Sequence, residues 1–196
     1  MILPIVAYGS PVLRNISLDI DIDYPQLTTL IEDMWETMYR SNGVGLAAPQ
    51  INRQIRLFVI DTIQIFANDE DGETKSYPDA PGFKGVFINA NIDEVNGKNW
   101  SYNEGCLSIP KIREDIERKD TVTLTFLDEN FQQQTRSFNG ITGRVILHEY
   151  DHIEGILFTD LISSLKKQLI KKKLANIMEG KTRPDYKMKF ASPKKG

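Results

Sequence analysis

The sequence holds a single cysteine, Cys106, so no disulfide can close within the chain and nothing in it calls for an oxidising compartment. No apolar run approaches the ~20 residues that a membrane span requires. The opening MILPIVAYGSPVLRN has no basic leader, no long apolar stretch and no small-residue cleavage site, so it does not read as a signal peptide. Together these absences lead us to expect a cytoplasmic protein with no membrane contact. Internal repeats and low-complexity tracts are also missing. Hydrophobic residues make up 40% and charged residues 26% of the 196 positions, the balance of an ordinary globular chain. A chain of this length should bury roughly 70% of the surface its unfolded form exposes, enough for a proper core.

The net charge of −3 is unevenly spread. Residues 166–196 carry eleven lysines and arginines against Glu179 and Asp185, a balance of +9, while the rest of the chain stands at −12. A basic end of this kind suits either a solvated helix face or contact with an anionic partner such as RNA or a ribosome.

Leu27, Leu30, Ile31, Met34 and Met38 recur at three- and four-residue steps and predict a helix, with Pro25 in its first turn and Asn42-Gly43 at its end. GVGLAAPQ at 43–50 is too rich in glycine and proline for a regular element. Residues 55–61, 86–92 and 121–127 read as strands, the last able to pair back through 131–138 as a hairpin. Residues 67–83 are polar and rich in turn formers, an exposed loop or insertion. A second helix is expected from about Asn139 to Glu154, capped by Asn139 or Thr142 and ended by Gly155. A third should start with Leu161, Ile162, Leu165 and Leu169 as its apolar face. Strands and helices do not alternate regularly, which predicts an α+β domain.

The second helix contains HEYDH at 148–152, and its two histidines are the only ones in the chain. At four residues' separation His148 and His152 project from one helical face, one turn apart, and can hold one metal ion. Glu149 beside them suits a general base. Two histidines leave such a site short, because a catalytic ion generally has three protein ligands and one open position. Acidic candidates for the third are plentiful. The thiolate alternative is Cys106, about forty residues upstream in a turn-like EGCLS segment, which by itself could equally be a spectator or a nucleophile.

GVGLAAPQ (43–50), EGCLS (104–108) and HEYDHIEG (148–155) stand in the order and rough spacing of the three signature motifs of the peptide deformylases, and the chain resembles that family over nearly its whole length. Those are metalloenzymes that remove the N-terminal formyl group from nascent bacterial polypeptides. One departure is Leu147, where many members carry glutamine. The resemblance implies mainly antiparallel sheets packed around a central HExxH helix, with a C-terminal helix beyond. It also implies one catalytic domain over residues 1–165, with 166–196 continuing it as a basic helix or tail.

The motif matches imply Cys106, His148 and His152 as ligands of one divalent metal, iron(II) as the native ion, with zinc, nickel and cobalt also accepted. Metal-bound water would attack the formyl carbonyl, with Glu149 as general base and then acid. The resulting oxyanion would meet the Gln50 side-chain amide and the Leu107 backbone N–H. Backbone at Val44, Gly45 and Gly105 would pair with an extended N-formylmethionyl peptide. Val44, Ile141 and Val145 would line the pocket for its first side chain, and Arg113 would stand on the substrate side. By the same resemblance the Lys166–Lys173 stretch could meet the ribosome by charge attraction, with no sequence-specific reading of nucleic acid. A zincin-like endopeptidase would leave the EGCLS and GVGLAAPQ segments unexplained. A closed structural metal site would normally call for four protein ligands where one cysteine and two histidines are available.

Overall fold

The computed structural model describes residues 1–67, 79 and 81–191. Most of the 67–83 stretch, expected as an exposed loop, therefore lies outside the described residues.

The main sheet has five strands, all antiparallel, in the order β2-β3-β4-β5-β6: β2 Gly45–Ala47, β3 Leu57–Asp61, β4 Lys84–Cys106, β5 Ile109–Leu127 and β6 Gln133–Asn139. At 23 and 19 residues, β4 and β5 far exceed the usual strand of 3–10 residues. Their pairing is broken by register shifts between Ile88 and Asn91, Ile92 and Glu94, Asn96 and Asn99, and Gly105 and Cys106. Each shift adds local bend and twist. The hairpin thus joins the sheet at its base and carries Cys106 out at its tip. A separate two-stranded parallel sheet pairs β1 (Ile5–Val6) with β7 (Met188–Lys189), bringing these two distant segments together.

Of the helices, α1 (Leu27–Arg40) buries Leu27, Ile31, Met34 and Met38, the spacing read from the sequence. It starts two residues after Pro25, behind Gln26 in a left-handed conformation, so the proline precedes the first turn instead of occupying it. Asn42 at φ 55° follows its end. The short α2 covers Ile63–Ala67. GVGLAAPQ, expected to be irregular, supplies β2 and a 3₁₀ turn over Ala48–Ile51.

HEYDH lies in α3, Gly140–Ile153. Ile141, Val145, Ile146 and Leu147 pack into one apolar cluster with Phe58, Phe87, Val122 and Leu124 of the sheet. Leu147, the departure from the family motif, is one of these buried side chains, so its position serves packing. A Cβ on Gly143 would come within 3.0 Å of the Phe138 carbonyl, which is why glycine stands where the helix crosses the sheet. Asn139 occupies the N-cap position without a side-chain cap bond. Instead the Asp79 carboxylate accepts from the Thr142 N–H at 2.7 Å and its hydroxyl at 2.8 Å, a cap supplied from 63 residues away. Gly155 at φ 73° ends the helix as expected.

The last helix differs from expectation. A 3₁₀ turn at Phe158–Asp160 precedes α4, Ser164–Met178, whose N-cap is Ser163. Its buried positions are Ile170 and Ile177, whereas Leu161, Leu165 and Leu169 are 48%, 68% and 71% exposed. Among the described residues no helix is long and apolar enough to cross a membrane.

Candidate active site

The apolar side of α3 faces the sheet, and its polar side carries His148, Glu149 and His152, all buried. The two imidazole rings lie 5.2 Å apart. The β4–β5 tip brings Cys106 to them, with Sγ 3.2 Å from His152 Nε2. Potential ligand atoms of Cys106, His148 and His152 all lie within 4.8 Å of one another, close enough for one ion to be shared among them. One thiol and two imidazoles are also a donor set suited to a borderline transition metal.

The orientation of His148 is set from behind. Its Nδ1 lies 3.0 Å from Glu104 Oε2, which leaves Nε2 as the nitrogen available for a ligand bond. Glu104 is itself 4% exposed and is held by Arg118 (Nε to Oε1, 2.8 Å; Nη2 to Oε2, 3.1 Å) and by Arg144 (Nη1 to Oε1, 3.0 Å). Burial alone would raise its pKa, but the hydrogen bonds from His148 and Arg118 prevail and hold the carboxyl at about 2. Arg118 also bonds Asp151 Oδ2 at 2.7 Å, so the same guanidinium braces α3. Arg144 is positioned by the Ile116 carbonyl and by the face of Trp100, 4.9 Å away. His152 Nδ1 has no corresponding partner among the described residues. Burial depresses the pKa of His152 well below its ordinary value, which favours the neutral, ligand-competent imidazole.

Glu149 packs against β2. A Cβ on Gly45 would fall 2.4 Å from Glu149 Oε1, so the carboxylate occupies the space that any larger residue would fill. Its Oε2 is buried and has no hydrogen-bond partner among the described residues. Burial raises its pKa to about 7. Gln50 is 1% exposed, and its Oε1 accepts from the Ala47 N–H at 2.8 Å. That bond fixes the amide so that Nε2 donates inward, 3.5 Å from both Cys106 Sγ and Ser108 Oγ.

One cleft of about 560 Å³ is lined by Gln50, Cys106, Leu107, His148 and Glu149, and also by Val44, Gly45, Gly105, Arg113, Ile141 and Val145. Every expected site residue is therefore brought to it except His152, which is 1% exposed behind Cys106. Arg113 sits at the rim with its Nε bonded to the Asn103 side chain at 2.8 Å. The sequence reading did not single out Glu104, Arg118, Arg144 or Tyr186. The carboxylate inside EGCLS is a signal for the first. Arg144 lies one turn before HEYDH on α3 but outside the motif itself, and Arg118 and Tyr186 lie far from any motif.

The chain is similar to known proteins in sequence and in fold. A family model described as polypeptide deformylase matches residues 2–168. A peptide deformylase of Flavobacterium johnsoniae is 59% identical over 196 residues, covering all of both chains, and one of Christiangramia forsetii is 53% identical over 195 residues, covering 100% of this chain and 99% of its own. A crystal structure of a peptide deformylase from Legionella pneumophila superposes with a TM-score of 0.76 at 33% identity, covering 94% of this chain and 99% of that one.

Proposed function

Since the chain belongs to the polypeptide deformylase family, we propose a residue-by-residue account of how it performs the family's reaction. That reaction is the metal-dependent hydrolysis of the N-formyl group from nascent polypeptides, releasing formate, and it is the activity of this protein. The observation carrying the account is the buried Oε2 of Glu149, which has no hydrogen-bond partner among the described residues and shares a cleft with Cys106 and His148, with His152 just behind.

Cys106, His148 and His152 would hold a divalent ion, which when bound would supply Lewis acidity in the cleft. We propose iron(II) as the native ion, the same donors being able to take zinc, nickel or cobalt. Glu149 has a pKa near neutrality, so it can accept a proton from water at Oε2 and later deliver one to the departing amine. Gln50 cannot turn its amide without losing the Ala47 N–H, so Nε2 is a preset donor for the charge that develops on the formyl oxygen. The Leu107 backbone N–H, next to Cys106 in the turn, is the second donor.

Among the described residues β2 is an outer strand of the five-stranded sheet, paired with β3 alone, and so can accept an extended peptide by strand addition. Gly45 on β2 and Gly105 on β4 would flank that peptide, reading its backbone and tolerating varied sequences. Val44, Ile141 and Val145 would receive the methionine side chain, and Arg113 would guide the peptide at the rim. We take α3 as the helix around which the sheets are arranged. Residues 1–165 form the catalytic domain, and 166–196 continue it.

The exposed Lys171, Lys172 and Lys173 of α4 are the cations we propose for a salt-sensitive contact with the ribosome in the cytoplasm. Lys166 and Lys167 are already engaged, with Glu114 at 3.0 Å and the Asp160 carbonyl at 2.9 Å.

Protein loaded with iron(II) under anaerobic conditions should release formate from formyl-methionyl peptides. Absence of formate with iron(II), nickel and cobalt alike would overturn the account.

A further inference from the structure

The turn that carries Cys106 and Leu107 is an unusual hairpin end. Cys106 pairs with Ile109, so the loop has two residues, Leu107 and Ser108. Two-residue hairpin loops normally adopt primed turns with positive φ at the first central residue, because those match the twist of the strands. Neither Leu107 nor Ser108 has positive φ. The next register step places four residues of β5 against one of β4, between Cys106↔Ile109 and Gly105↔Arg113, with Lys111 at φ 63° in the extra stretch. The strand pairing therefore does little to define this turn, and other bonds must hold it.

Two of those bonds come from Tyr8 and Tyr186, residues far from the turn in sequence. The Tyr8 N–H donates to the Ser108 carbonyl at 2.8 Å. The Tyr186 hydroxyl donates to the Leu107 carbonyl at 2.7 Å, across 79 residues of sequence. Tyr186 arrives there because β7 pairs with β1: the Ile5 N–H donates to the Lys187 carbonyl at 2.9 Å and the Ala7 N–H to the Lys189 carbonyl at 2.8 Å. Pro184, Asp185 and Tyr186 then line the substrate cleft. These residues lie beyond the 2–168 segment that the family model matches.

We propose that Tyr186 is a positioning residue for the catalytic turn, fixing through its hydroxyl the backbone at Leu107 and with it the adjoining N–H donor and Cys106. Tyr186 touches neither substrate nor reacting atoms in this role. It restricts rotation about Leu107, and the β1–β7 pairing makes the C-terminal segment part of the site. The proposal rests on the deformylase reading and assigns a function to residues outside the shared motifs.

The test is Tyr186→Phe in the iron(II)-loaded full chain, beside the wild type. The substitution keeps the ring and removes one donor. A loss of about tenfold in kcat is expected, the size that one lost hydrogen bond can produce, with KM for a formyl-methionyl peptide unchanged. Amide hydrogen exchange in the 104–110 peptide should speed up, also in the metal-free protein, while exchange in α3 stays at wild-type values and the melting temperature falls by no more than the ~2–4 °C that one hydrogen bond is worth. A kcat within twofold of wild type, or a kcat loss matched by a general fall in protection and a larger fall in melting temperature, overturns the proposal. Absence of formate from the wild type would instead strike at the deformylase reading itself, while the metal-free exchange comparison would still decide the role of Tyr186.

Discussion

Glu104 Oε2 stands 3.0 Å from His148 Nδ1, and the same carboxylate is gripped by both Arg118 and Arg144. A negative charge buried behind a histidine ligand fixes the ring's tautomer and strengthens the opposite nitrogen as a donor. Glu104→Gln should therefore weaken metal binding by roughly 10- to 100-fold, as loss of such supporting partners does elsewhere. Competition with a chelator, followed by metal analysis, measures this. Unchanged affinity would mean that His148 is oriented by its packing alone.

The same carboxylate predicts a pH dependence of stability. Its folded pKa of about 2 lies below the ordinary 4.5, so the folded state binds its proton less readily than the unfolded state. The stabilisation is fully present above pH 4.5 and disappears as pH falls from there towards 2. Melting temperatures recorded across that window should fall steeply for the wild type. In Glu104→Gln the slope should be shallower, although the protein starts from a lower value.

Gly45 should be intolerant of any side chain for a reason unconnected with its own backbone angles. A Cβ there would meet Glu149 Oε1 at 2.4 Å and displace the carboxylate. Gly45→Ala should bind metal and fold near normally, yet lose one to two orders of magnitude in kcat, since small misplacement of a reacting group is costly. Steady-state kinetics with metal quantification decides the matter. Retained turnover would show that Glu149 can shift without loss.

The surface of α4 offers a packing test. Leu169→Ser should change stability by no more than ~0.5 kcal/mol, the usual effect at an exposed position. Ile170→Ala, one residue on and 4% exposed, should cost about 2–5 kcal/mol. Denaturant unfolding of the two variants separates these outcomes clearly.

These contrasts show how far the sequence could be read. HEYDH was legible because a four-residue step places both histidines on one face whatever the rest of the chain does. Strands β3 and the second half of β5 were legible because their apolar residues alternate or run together. The outer reach of the β4–β5 hairpin was not, because residues 93–103 are almost entirely exposed or half-buried and show no apolar alternation. For α4, apolar residues at helical spacing were visible, but which of them find a partner depends on the sheet beneath. Glu104 sits inside a recognised motif, yet its role comes from Arg118, Arg144 and His148, which lie 14, 40 and 44 residues further on. Tyr186 reaches the site only through a parallel pairing of two-residue strands, which leaves no pattern to read.

The most direct test of the account is Glu149→Gln. This change keeps the size of the side chain and removes its ability to take a proton. Metal content should match the wild type, because Glu149 is not among the donors, while formate release from a formyl-methionyl peptide should fall by roughly a hundred- to ten-thousandfold. Full metal occupancy with turnover near that of the wild type would contradict the role given to Glu149 and the mechanism built on it.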